Sequence, residues 1–130
     1  MYKIEKKPWG FNLTFGETMC AEEMRSWLEE SKKATANASP SFGVFVDMRT
    51  LKPLLAEVQL VMQEGQKLYK AKGMARSVVI SASALVMLQF KKIAKESGIY
   101  AWERYIDSSS VHDWENQGIG WIRDNIDPDA

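Results

Sequence analysis

The chain has 130 residues, enough for one domain that buries roughly two-thirds of the surface its unfolded form exposes. Its 17 basic and 17 acidic residues cancel, which removes the broad positive field that nonspecific binding to nucleic acid or an anionic membrane relies on. A single cysteine, Cys20, and a single histidine, His112, exclude an intrachain disulfide, a cysteine-based zinc cluster and a His-rich metal site. The amino-terminal MYKIEKKPWG has no apolar targeting core, no apolar run is long enough to span a bilayer, and no cofactor motif is present, so a cytoplasmic protein without cofactor is expected.

Residues 2–16 read as a hairpin. Tyr2 and Ile4 alternate with Lys3 and Glu5, Pro8-Trp9-Gly10 supplies the turn, and Phe11, Leu13 and Phe15 share one face of the second strand. Thr18 is the expected cap of a helix reaching about Ala36, with Cys20, Met24, Trp27, Leu28 and Ser31 on its packed side. FGVFVDM, residues 42–48, is apolar until Asp47 and predicts an interior strand that ends there.

The next helix is expected from Pro53 to Lys72, with Leu54, Val58, Val61, Met62, Gly65, Leu68 and Tyr69 inward and Gly73 as its stop. ARSVVIS, residues 75–81, is a second buried strand. Ser83 caps a third helix that packs through Val86, Phe90, Ile93 and Ala94 and stops at Gly98. WERYI, residues 102–106, reads as a short edge strand. A terminal helix then carries Val111, Trp114, Gly118, Trp121 and Ile122 on one side, with Ser110 and Asp113 as a shortened capping box. Residues 1–126 form one domain in this reading, and 127–130 a frayed tail.

The resulting order is β-β-α-β-α-β-α-β-α. Helices between successive strands imply an α/β fold with a mixed, mainly parallel sheet of about five strands, an antiparallel edge from the first hairpin, and about four helices.

Asp47 is the acidic residue of most interest, because parallel sheets place ligands beyond the carboxyl ends of their strands. It either organises the following loop through Asx-type hydrogen bonds or shapes a recognition site. Arg49 is a candidate to pair with it or to meet an anionic partner; flanking one turn favours the pair, whereas alternating strand directions would oppose it. Thr50 is a cap or contact candidate. Ser81 and Ser83 end the second buried strand and offer either ordinary capping or hydroxyls for a phosphate. Lys67, Lys70, Lys72 and Arg76, with Lys91, Lys92 and Lys95, form either solvated faces or a partner patch.

Cys20 and His112 make no nucleophile pair, and no nucleophile elbow is present. Trp114 and Trp121, seven residues apart, are candidates for core or for a dimer interface.

The element order, with FVDMR and ARSVVIS, resembles the SpoIIAA-like or STAS-like family over roughly residues 2–124. Anti-sigma-factor antagonists of that superfamily bind partner proteins and are switched by phosphorylation near the helix that follows the strand matching VFVDM. Here Arg49 stands at the third position of the aspartate motif, where the family has serine or threonine, and TLKPLLAE lacks the serine-rich switch sequence. The resemblance implies a noncatalytic protein-interaction or regulatory domain with a protein partner or a second copy. The alternatives are a module for an apolar or weakly anionic small ligand and, third, an enzyme of unknown class.

Overall fold

The computed structural model describes residues 1–130. Strands β1 (Tyr2–Lys7) and β2 (Gly10–Glu17) form the expected hairpin. They are followed by α1 (Ala21–Ala34), β3 (Phe42–Leu51), α2 (Ala56–Lys72), β4 (Met74–Ser81), α3 (Ala84–Ser97), β5 (Glu103–Asp107) and α4 (Trp114–Asp124). The sheet order is β1-β2-β3-β4-β5, with only the first pair antiparallel. This is the mixed, mostly parallel five-stranded sheet with four helices that the hydrophobic pattern predicts.

The two faces of the sheet are covered unequally. Alternation along the strands sends Phe11, Leu13, Phe15, Val44, Val46, Met48 and Val79 to one side, where α1, α2 and α3 pack through Trp27, Val58, Met62, Val86 and Phe90. Phe45, Val78, Ile80 and Ile106 face the other side, where α4 alone packs with Trp121 and Ile122. At the hairpin turn, Gly10 has φ 149°, and a Cβ there would lie 1.9 Å from the Gly43 carbonyl oxygen, so only glycine lets β2 start against β3.

Gly73 (φ 117°) and Gly98 (φ 89°) end α2 and α3 in the left-handed conformation, as their positions predict. Ser83 caps α3 by accepting from the Val86 amide at 3.2 Å. Strand β5 is an edge, as expected. No helix is long and apolar enough to cross a membrane.

Five local expectations fail. Strand β3 runs on to Leu51, because Thr50 and Leu51 pair with Gly16 and Glu17, so Asp47 lies within the strand. Helix α1 starts at Ala21, after a left-handed Glu17 (φ 61°), so Thr18 caps nothing and Cys20 is exposed rather than packed. Helix α2 starts at Ala56; Leu54 fills the core before it, and Thr50 is a strand residue. Helix α4 starts at Trp114, and Asp113 bonds the Asn116 side chain instead of closing a box with Ser110. The 127–130 tail is fastened rather than frayed, since Arg104 donates to both Asp127 carboxylate oxygens at 2.9 and 3.0 Å.

Candidate functional site

Asp47 and Arg49 project from the same face of β3 because they are two residues apart on an extended strand, so alternation favours their pairing rather than opposing it. The Arg49 amide and Nε donate to Asp47 Oδ1 at 3.1 and 3.0 Å, and Nη2 donates to Oδ2 at 2.9 Å. This two-pronged grip, chiefly its hydrogen bonding, raises the already high pKa of the guanidinium. Arg49 Cζ lies 4.2 Å from the centre of the Trp114 ring, which in turn packs against Phe45. Asp47 thus positions an exposed cation on a half-buried indole at the end where α4 begins.

The hydroxyls at the same end are differently disposed. Thr50 is exposed, and its Oγ1 closes over Gly16, where it would lie 2.6 Å from an added Cβ. Ser81 is 1% exposed and accepts from the Ser83 amide at 3.0 Å. With Ser83 occupied at Val86, both serines serve the β4–α3 turn. Of the two roles open to Ser81, capping and a recognition hydroxyl, the geometry is that of the first, because the turn folds over it.

Between the starts of α2 and α3 lies an apolar surface that the sequence reading missed. The Gln89 side chain clasps the Leu54 backbone, accepting from its N–H at 2.8 Å and donating to its C=O at 3.0 Å. That clasp ties Leu54, the residue before Leu55, to the part of α3 that directly follows Leu85 and Leu88. Leu55, Leu60, Leu85 and Leu88 are 53–68% exposed. The signal was present in the sequence, since all four leucines fall off the inward stripes of their helices. A cluster of large exposed apolar side chains marks an interaction surface more often than chance decoration.

The tryptophan pair divides. Trp121, an interface candidate, is 3% exposed and donates from Nε1 to the Ser77 carbonyl at 2.9 Å, so it belongs to the core. Trp114 remains half-exposed beneath Arg49. The basic residues form no single groove: Lys70 bonds the Gly98 carbonyl, Arg76 bonds the Trp121 and Ile122 carbonyls at the end of α4, and Lys91 and Lys95 rest over Tyr105 and Tyr100. Cys20 and His112 precede helices on opposite faces of the sheet, so they are not brought together.

A second polar feature escaped the sequence reading. Glu103 is 4% exposed and accepts from Ser77 Oγ at 2.9 Å and from the Tyr105 hydroxyl. Burial raises its carboxyl from 4.5 to about 7, against the lowering effect of both hydroxyls. Burial first, then the charge of Glu103, pushes the Tyr105 phenol upward. ERYID alternation places Glu103 and Tyr105 on one face, which was the available clue. Glu103 and Ser77 line an internal cavity of about 30 Å³ together with Trp27, Met62, Tyr69 and Phe90. That volume suits a water or two, whereas pockets for drug-sized ligands hold roughly 300–1,000 Å³, so the core offers no preformed lipid site.

The strand order never reverses, so the sheet has no topological switch point and no crevice of the kind that binds dinucleotides. No group of three or more His, Cys, Asp or Glu side chains is placed to hold a metal ion. The feature at this end of the sheet is therefore a surface: Arg49 fixed on Trp114 toward α4, and exposed leucines toward α2 and α3. No protein-family model matches the chain, and no curated protein is found to be similar to it.

Proposed function

We propose that the chain is a noncatalytic protein-recognition domain of the SpoIIAA-like or STAS-like kind, acting through the end of the sheet where α2 and α3 begin. The observation that carries this reading is the exposure of Leu55, Leu85 and Leu88 beside a backbone fixed by Gln89. Apolar side chains on a backbone that is already fixed require less ordering when a partner covers them, so they suit docking. Arg49 adds a charged contact whose geometry Asp47 and Trp114 already set. The element order is in keeping with the family resemblance, whereas Arg49 and the absence of serine from TLKPLLAE argue for recognition that does not depend on a phosphorylated serine.

A photoreactive residue introduced at Leu85 tests this in cell extract. Covalent protein adducts are expected from Leu85 and not from Ile126, which is at least as exposed and lies beyond the far end of α4. Equal labelling at the two positions, or none at either, would reject the reading.

A further inference from the structure

We propose that β1 pairs with β1 of a second copy, antiparallel about Ile4, so that one sheet runs through both molecules. Strand β1 is the outer strand of the hairpin, and nothing pairs with its free side. Met1 and Gly16 exchange both of their backbone bonds, at 3.0 and 2.9 Å. Alternation along an antiparallel ladder then turns the backbone groups of Lys3, Glu5 and Lys7 toward β2 and leaves those of Tyr2, Ile4 and Lys6 pointing outward. Unpaired N–H and C=O groups in such a row are a template for another strand.

The charges select both the strand and the register. Only registers that oppose Tyr2, Ile4 and Lys6 among themselves let the outward groups bond. Centred on Lys3, such a ladder opposes Lys3 to itself; centred on Glu5, it opposes Glu5 to itself and Lys3 to Lys7, and like charges directly opposite are destabilising. Centred on Ile4, it opposes Lys3 to Glu5 on both sides of the two-fold axis, lays Ile4 on Ile4, and sets Lys6 on Tyr2. The segment Lys3-Ile4-Glu5 is therefore complementary to itself read in reverse, which is what a second copy supplies.

The neighbouring charges agree with this register. Lys3, Glu5 and Lys6 have no ion-pair partner within the chain, and Glu5 is bonded by the neutral Asn12 side chain at 3.2 Å. Lys6 of the second copy arrives at the Tyr2 phenol, which is pushed upward by burial and then by the nearby Glu30 and Glu23 carboxylates of α1. Lys7 falls opposite Met1 at the end of the ladder, where the Met1 ammonium is already held by Glu23 at 3.1 Å. Lysine on an edge strand commonly deters pairing; here it deters the neighbouring registers. Helices α2 and α3 pack against β4, away from this edge, so the exposed leucines stay open on both copies.

Sedimentation equilibrium of the full chain tests the assembly, and the wild type is expected at the mass of two protomers. Lys3→Glu sets acid against acid on both sides of the axis, and Glu5→Lys sets base against base. Each is expected to weaken the dimer at least tenfold, with circular dichroism and the urea midpoint separating lost pairing from lost folding. The double variant K3E/E5K exchanges the two charges and is expected to recover the dimer. An equimolar mixture of the single variants is expected to recover it as a heterodimer. A wild type that stays monomeric up to about 100 μM, a weak limit for specific association, overturns the proposal. So does a dimer that survives both single variants, or a double variant that folds and stays monomeric.

Discussion

Arg49 rests on Trp114, with its guanidinium carbon 4.2 Å from the ring centre and its donors held by Asp47. Removing the cation in R49A uncovers the indole. A red shift of tryptophan emission is expected, and it should vanish when R49A is made in a W114F background. Because the pair is partly exposed, the loss of stability should be small, about 1 kcal/mol. An unchanged emission spectrum would show that Arg49 does not shield Trp114 in solution.

Glu103 should give folding a pH dependence opposite to that of a salt-bridged carboxylate. Its pKa is about 7 in the fold against 4.5 for the free side chain, so the folded chain keeps a proton that the unfolded chain releases. Stability accordingly falls as pH rises from about 4.5 through about 7, then levels off, and a displacement of that size amounts to about 3 kcal/mol. E103Q has no proton to lose there. Urea denaturation across this range should show the variant gaining on the wild type by about that amount. A constant difference between the two proteins would refute the assignment.

Gly65 is where α2 meets the Trp27 ring. An added Cβ would lie 2.1 Å from one ring carbon, and Trp27 is buried and stacked on Tyr69 at 5.9 Å, so either the ring must be pushed into the small cavity it lines or α2 must shift. Alanine favours helix over glycine by about 1 kcal/mol, yet overpacking of this kind typically costs about 1–3 kcal/mol. G65A should therefore lower the urea midpoint. A rise would mean that the helix relaxes away from Trp27.

Ser83 and Ser110 offer a matched pair of cap tests. S83A removes the bond to the Val86 amide and should cost about 1 kcal/mol in thermal or chemical denaturation. S110A removes a long 3.4 Å contact to the Asp107 carbonyl and a minor interaction with the exposed Asp107 carboxylate, and should change stability by less than about 0.5 kcal/mol. Equal losses would mean that Ser110 contributes more to the start of α4 than its geometry indicates.

The elements were legible in the sequence wherever a single local signal decided them. Gly73 and Gly98 mark helix ends because their backbones need positive φ, and Ser83 is a cap because its hydroxyl meets an orphan amide. Strand β3 was cut short because Arg49 and Thr50 look like loop residues, while the partner that keeps them extended is the distant segment Gly16–Glu17. Thr18 looked like a cap because nothing nearby announces that Glu17 turns the chain left-handed. Trp114 and Trp121 could not be separated by spacing, since Trp121 faces the core and Trp114 lies beneath Arg49. The exposed leucines could have been noticed as breaks in the helical stripes, and Glu103 as a carboxylate on the inward parity of its strand.

The uninterrupted strand order has a bearing on how the chain is made. No strand must slip between two that already exist; β3, β4 and β5 each extend a growing edge as they leave the ribosome, with one helix arriving between successive additions. Pairings made with the immediately preceding strand close modest loops and spare the chain the entropy of long-range searching. The hairpin β1–β2 is then the template for everything after it. Damage to its turn at Gly10 should stall assembly at the first step, whereas damage in β5 should leave a nascent sheet of four strands.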